Sequence, residues 1–169
     1  MDYIIRKPTP DDAEELIKYL KQIGSESDNL TFGEEGIPFT VEQESKFLEK
    51  MYESTSSVIF VAMDGDTIVG DISFDGSPKE RLKHRGTIGL SVVRDCWHKG
   101  IGSALMEQAL DFAKNVAGAE VVALDVRCDN ARAISLYEKF GFKITGTIPA
   151  MMKINGEFID CYTMTKYLE

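Results

Sequence analysis

The sequence predicts a single mixed α/β (α+β) domain, and three observations carry that expectation. Residues 87–93, a glycine-bearing turn, a helical pattern from Gly100 and residues 121–126 form a strand–turn–helix–strand unit, whose two strands should lie parallel. Asp64-Gly65-Asp66 and Asn155-Gly156 each join two apolar runs, which marks two antiparallel hairpins. The 169 residues suffice for one full hydrophobic core, and no linker, repeat or low-complexity tract divides them.

In chain order, residues 3–7 alternate as a short first strand. Thr9 then caps a helix, with Pro10 at its first position and Asp11 and Asp12 complementing the positive end of the dipole. Ala13, Leu16, Ile17, Leu20 and Ile23 recur at helical spacing, and Gly24 is expected to end the helix. Residues 25–39 have no period and carry Glu26, Asp28, Glu34 and Glu35. They read as a long loop, either functional or a solvated acidic connector. Thr40 and Gln43 form a capping box for a second helix, whose apolar face is Val41, Phe47, Leu48 and Met51.

Residues 57–63 and 67–74 are the strands of the first hairpin. The following turn region holds Lys79, Arg81, Lys83 and Arg85, a basic run of the kind usually found solvated. The helix from Gly100 presents Ile101, Leu105, Ala109, Phe112, Ala113 and Val116 on one face and stops at Gly118. Asn130 caps a short helix closed by Gly141, and residues 142–154 and 157–167 complete the second hairpin.

Composition narrows the function. Hydrophobic residues at 43% and charged residues at 28% describe a globular chain rather than a disordered one. No apolar run is long enough to span a bilayer, and MDYIIRKP lacks the core of a secretion signal, so a cytoplasmic location without a membrane partner is expected. Cys96, Cys128 and Cys161 are odd in number and far apart, and His84 and His98 lack ligand-like spacing; free thiols and no metal are expected. The net charge of −9 argues against a nucleic-acid partner. It also requires any phosphate site to be locally basic, and His98 and Lys99 stand where that is needed.

The stretch from Leu90 to Ala104, LSVVRDCWHKGIGSA, is the one the chain is organised around. Its glycines leave backbone N–H groups open to close approach, and the helix start adds partial positive charge, a combination suited to a diphosphate. Two common nucleotide motifs fail on spacing. The third glycine of GxGxxG is replaced by Leu105, and the lysine of a P-loop follows its glycine whereas Lys99 precedes Gly100.

Leu90-Ser91-Val92-Val93 followed by Trp97-His98-Lys99-Gly100-Ile101-Gly102-Ser103-Ala104-Leu105 resembles the acetyl-CoA motif of the GNAT-type N-acetyltransferases. The run from Asn130 to Phe142, NARAISLYEKFGF, resembles the second signature of the same superfamily, one helix and one strand downstream. The resemblance covers nearly the whole chain. It implies a mixed central sheet of about seven strands with helices on both faces. It also implies acetyl-CoA as co-substrate, no metal, and transfer of the acetyl group to a primary amine. Trp97 stands where the general motif has Arg or Gln. A Trp there resembles the subgroup of ribosomal-protein N-terminal acetyltransferases and their small-molecule relatives. Thr87 stands where related sequences often carry Glu, a candidate base.

The residue chemistry runs alongside. Backbone N–H groups of His98, Lys99, Gly100, Ile101, Gly102 and Ser103 can cradle the CoA diphosphate. The strand edge of Leu90, Val92 and Val93, splayed from the fifth strand, can pair with the amide-bearing arm, and an N–H near Val93 can polarise the acetyl carbonyl. The resemblance sets Trp97, Asn130 and Ala133 with the cofactor and makes Tyr137 the general acid that protonates the leaving thiolate. Each has a plainer reading: Val92 and Val93 as core strand, Tyr137 as a packing tyrosine, Asn130 as an N-cap alone, Lys139 as a solvated helix-end lysine. Glu26, Asp28 and Glu34 lie in the region that, in the family fold, covers the acceptor, where carboxylates suit a cationic amine. A small-molecule amine or a peptide N-terminus both fit, and a homodimer stays open. With no Cys–His pairing for a ping-pong route, the mechanism expected is direct attack. The competing function is a sensor or regulatory module that keeps the acyl-CoA cradle without catalysis.

Overall fold

The computed structural model describes residues 2–169. Its elements run β1 (Ile4–Arg6), a 3-10 turn (Pro10–Asp12), α1 (Ala13–Glu26), α2 (Val41–Glu53), β2 (Ser57–Asp64), β3 (Thr67–Gly76) and β4 (Arg85–Val92). A second 3-10 turn (Arg94–Cys96) leads to α3 (Ile101–Asn115), β5 (Val121–Arg127), α4 (Ala131–Lys139), β6 (Lys143–Ile154) and β7 (Glu157–Tyr167). The strands form one sheet of seven in the order β1-β2-β3-β4-β5-β7-β6. Only β4 and β5, the strands of the predicted crossover unit, pair in parallel; the other neighbours are antiparallel. No helix among the described residues is long and apolar enough to cross a membrane.

Strand alternation assigns the two faces of the sheet. Val58, Ile72, Phe74 and Ile88 are buried on one face, where Phe112 of α3 meets Phe60 and Phe74 at ring distances of 6.5 and 6.2 Å. A Cβ at Gly70 on this face would stand 3.1 Å from Ile101 and Leu105, so the glycine lets α3 settle close to the sheet. α4 lies beside α3, with Leu136 against Gly102. The opposite face carries Asp71, Ser73 and Asp75 on β3, in register with Ser91, Gly89 and Thr87 on β4. α1 covers the Asp71 end of it through Tyr19, whose hydroxyl reaches both Asp71 and Ser91. Helices therefore lie on both faces, as expected.

The helix proper starts later than Thr9 predicts: Pro10–Asp12 form a 3-10 turn behind Thr9, and α1 begins at Ala13. Asp12 accepts from the Thr9 N–H at 2.6 Å, while Arg6 forks onto both Asp12 oxygens at 2.7 and 2.8 Å. Arg6 holds the Asp12 carboxyl down at about 2. The end of α1 departs from expectation: the helix continues through Gly24 to Glu26. Gly24 is a packing contact instead of a stop. A Cβ there would lie 1.9 Å from the Gly33 carbonyl oxygen, so the following loop rests its backbone on this turn of helix.

The other turns form where their residues predict. Asn155 and Gly156 both take positive φ, 50° and 85°, the conformation a two-residue hairpin turn needs. The β6–β7 hairpin is less regular than alternation suggests. Its register shifts between Ile148 and Met152, beside Pro149, and Ala150 sits at φ 52° with its N–H donated to Asp160 Oδ1 at 2.8 Å.

Candidate active site

β4 and β5 pair at only three positions, Arg85–Val121, Gly86–Val122 and Thr87–Ala123, and then diverge. The backbone on the far part of β4 alternates in direction, as an antiparallel ladder requires. The Val93 N–H donates to Val69 O at 3.0 Å, so Val93 and Ser91 turn towards β3, and Leu90 and Val92 present their N–H and C=O groups to the gap. A cavity of about 900 Å³ opens there, with walls from both faces of the sheet.

The loop after β4 supplies one end of this cavity. His98 and Gly100 take positive φ, 61° and 83°, and α3 begins at Ile101. Ala104 is the first residue to bond back, to the Gly100 carbonyl at 3.0 Å, which leaves the N–H groups of Ile101, Gly102 and Ser103 without helical partners. All three residues lie on the cavity wall. A Cβ at Gly102 would press on Leu136 at 3.3 Å, so the helix start, α4 and β4 converge there only around a glycine.

Trp97 braces the loop. Its indole N–H donates to the Val92 carbonyl at 2.7 Å, and the Arg132 guanidinium stacks on its ring at 3.3 Å. Arg132 lies on the wall, with its pKa lowered by burial, so its charge is partly stripped of water. Lys99, in contrast, is off the wall; the basic groups that line the cavity at the helix start are His98 and Arg132, both partly open to solvent. Sequence reading missed Arg132, although a cation in the first turn of a helix opposes the dipole and so hints at an anion nearby.

Asn130 caps α4, its Oδ1 accepting from the Ala133 N–H at 3.2 Å, and both residues also line the cavity. Tyr137 on the same helix is buried, touches the cavity and packs against Phe142 at 6.1 Å. Burial pushes its hydroxyl up to about 12 against the opposing pull of Arg132, so the phenol stays protonated at working pH. Two expectations for β4 divide. Leu90 and Val92 line the gap, but the Val93 side chain is sunk in the core and its N–H is spent on Val69.

The other end of the cavity differs from expectation. Glu26 reaches the wall, yet its carboxylate is tied down, accepting from the Arg94 N–H at 2.7 Å and from Gln22 at 2.9 Å. Asp28 and Glu34 are exposed and off the wall. The loop buries its apolar Leu30 and Phe32 against the core and leaves those carboxylates to water. The other acids that line the cavity come from strands: Asp71 and Asp75 on β3 and Asp125 on β5. Asp125 accepts from the Thr163 hydroxyl at 2.7 Å, and burial raises Asp75. The signal that could have found Asp71 and Asp75 was the polar alternation Asp71-x-Ser73-x-Asp75 inside a central strand. No group of three His, Cys, Asp or Glu among the described residues is gathered as a metal site.

Comparison with known proteins bears on this cavity. The profile described as "Acetyltransferase (GNAT) family" matches residues 15–142. The L-amino acid N-acetyltransferase AaaT of Escherichia coli (strain K12) is 33% identical over 108 residues, which are 64% of this chain and 66% of the relative, just under two thirds of its length. Among solved structures, an acetyltransferase of the GNAT family from Streptococcus pneumoniae superposes with a TM-score of 0.95 at 30% identity, covering 99% of this chain and 100% of that one. The yncA structure from Salmonella typhimurium, solved with its cofactor acetyl-CoA, has a TM-score of 0.84 over 100% of this chain and 95% of its own; at 17% identity it speaks for the fold alone.

Proposed function

This chain belongs to the acetyltransferase (GNAT) family, and from that premise we propose that it moves the acetyl group of acetyl-CoA onto a primary amine by direct attack. The observation that carries the reading is the inner edge of β4, which has no strand partner past Thr87 and of which the Val92 carbonyl is taken by Trp97. It lies beside the unpaired N–H groups of the α3 start, and the Tyr137 hydroxyl shares the same wall.

Acetyl-CoA supplies an activated thioester, and each part of the cavity has a task towards it. The N–H groups of Ile101, Gly102 and Ser103, with His98 and the stacked Arg132, hold the diphosphate. The absence of a side chain at Gly102 keeps that cradle open. Leu90 and Val92 receive the amide-bearing arm as an added strand. The Val92 N–H, not that of Val93, is the donor free to meet the charge that develops on the carbonyl oxygen. Tyr137 gives its proton to the departing sulfur, whose thiolate has a proton affinity near that of cysteine, about 8.5.

The acceptor end, walled by Asp71, Asp75 and Asp125, favours a cationic amine, either a small molecule or a peptide N-terminus. The test is thiol release from acetyl-CoA on a panel of polyamines, amino acids, aminoglycosides and short peptides. Release with at least one amine, and no acetylated enzyme when acceptor is withheld, supports the reading. Silence across the panel with CoA binding retained in calorimetry supports the sensor module instead.

A further inference from the structure

We propose that Asp71 is the proton acceptor of this reaction: its carboxylate, oriented by Ser91 and Tyr19, takes one proton from the acceptor ammonium before attack. The proposal rests on the acetyltransferase reading above. It starts from placement. Asp71 stands opposite Ser91 in the β3–β4 register, and Ser91 directly precedes Val92, the residue whose N–H faces the gap. Neighbouring strands lie about 4.8 Å apart and β4 stands between, so β3 runs two strand spacings, about 10 Å, from the line on which the carbonyl carbon must sit, a span that the Asp71 side chain and the acceptor amine share. Asp75, the next acid on the same strand and face, is four residues away, about 13 Å along β3.

The hydrogen bonds orient the group and leave it available. The Ser91 hydroxyl donates to Asp71 Oδ1, and the Tyr19 hydroxyl lies 3.2 Å from Oδ1 and 2.8 Å from Ser91 Oγ. Both bonds fall on one oxygen. Neither bond falls on Oδ2, and Asp71 lines the cavity. Tyr19 is fully buried and its hydroxyl is raised well above the ordinary phenol range, which makes it a permanent donor.

Other charges near this face are Asp75 on β3, Arg85 on β4, Asp125 on β5 and Glu26 at the end of α1; the β2 residue opposite Asp71 is apolar Val61. The shift of Asp71 comes from burial, which pushes it up to about 6, with Ser91 and Tyr19 holding it back. An ordinary aspartate is a far weaker base at neutral pH. Tyr137 is displaced in the other sense of function, staying protonated, and two groups in one cavity with separated affinities divide base from acid.

The step balances. One N–H proton passes to Asp71 Oδ2 and frees the nitrogen lone pair, which forms the C–N bond. The C–S bond breaks, its electron pair leaves on sulfur, and sulfur takes the Tyr137 proton. The second proton lost from nitrogen restores the phenol, and Asp71 releases its proton to solvent.

The test is kcat/KM against pH for wild type, Asp71→Asn, Asp75→Asn and Ser91→Ala with an accepted amine. Wild type should show an acidic limb near the Asp71 titration. Asp71→Asn should lose that limb and about 10²-fold of kcat/KM, with a cooperative melt no lower than that of wild type and acetyl-CoA affinity preserved. Ser91→Ala, which removes a bond to the ionised form, should move the limb to higher pH. Asp75→Asn should raise KM and leave the limb in place. The proposal is overturned if Asp71→Asn keeps its activity within about threefold, well inside a general-base effect. A limb that survives in Asp71→Asn, or one that Ser91→Ala does not move, overturns it too. Should Asp71→Asn not fold, the Ser91→Ala limb decides. A wild type silent with every amine sinks the acetyltransferase reading itself, whereas turnover that is equal in wild type and Asp71→Asn removes only the role of Asp71.

Discussion

The two faces of the central sheet are closed in different ways. Against α3 the surface is apolar and dry, with Ile72, Phe74 and Ile88 buried and aromatic rings of helix and strand in edge contact. Against α1 the same strands turn out Asp71, Ser73, Asp75, Thr87 and Ser91, and Tyr19 covers only one end of that stripe. Packing alone would have favoured apolar residues on both sides. A polar stripe on central strands lowers stability, and it makes sense where a cleft, not a core, is being built. The carboxylates separate in the same way. Asp12, clasped by Arg6, is held down at about 2, whereas Asp71, buried without a cation, is pushed up to about 6. One serves the fold and the other opposes it.

The sharpest way to test this division is at Tyr137, which belongs to the α4 side. Tyr137→Phe keeps the ring against Phe142 and deletes the donor; initial-rate thiol release at several pH values should fall by about 10²-fold or more, with acetyl-CoA affinity intact. Wild-type turnover in this variant would make Tyr137 a core residue and leave that side with the cofactor cradle alone.

Next in size is a stability effect on the α1 side. Because the folded pKa of Asp71 lies above the value of 3.8 expected when unfolded, the folded state holds this proton more tightly. Wild-type stability should therefore fall as pH rises from about 4 to about 6 and level off above, a loss of about 2 kcal/mol after allowing for water in the cavity. Asp71→Asn should lack that slope in denaturant titrations run across the range. An equal slope in both proteins would put Asp71 in ordinary solvent.

Gly102→Val probes the α3 side by filling the cradle. Its side chain must displace Leu136, an overpacking cost of about 1–3 kcal/mol, so melting should drop by a few degrees and acetyl-CoA affinity by about tenfold or more. Unchanged calorimetric affinity in a folded variant would take the loop out of the site. The smallest expected effect is at Asp12→Ala. Its ion pair with partly exposed Arg6 contributes stability above about pH 4 that fades as pH falls towards about 2, worth about 1 kcal/mol at neutral pH once screening is counted. Equal denaturation midpoints at pH 7 would show the clasp to be idle.

How much of this was legible follows from how far apart the interacting residues lie in the chain. The hairpins at Gly65 and Asn155-Gly156, the parallel crossover and the caps at Thr40 and Asn130 depend on neighbours within a few positions, and they form as read. Many of the residues on the α3 side of the cavity were readable as a group because they are contiguous. Contiguity does not say which way each group points: the Val93 N–H is consumed by the β3 ladder, and it is Arg132, not Lys99, that lines the cavity. Gly24 was read as a helix stop because its true partner, Gly33, meets it only once the loop folds back. The half walled by the strand carboxylates, which the proposal gives to the acceptor, was not readable as a motif. Asp71, Asp75 and Asp125 come together by strand register, while the acidic loop drew attention by charge density alone and then turned its apolar side inward.

The short parallel seam between β4 and β5 has a consequence for exchange with solvent deuterium. Past Thr87 the sheet has an edge in its interior, where a strand normally protected on both sides is bonded on one. Amide protons at Ser91 and Val93 should exchange with the slow rates of the surrounding core, while those of Leu90 and Val92, one residue away, exchange at rates nearer a loop. Acetyl-CoA lying along that edge would slow this second pair and leave the first unchanged, so the alternation of rates along four residues reads out occupancy without any assay of turnover.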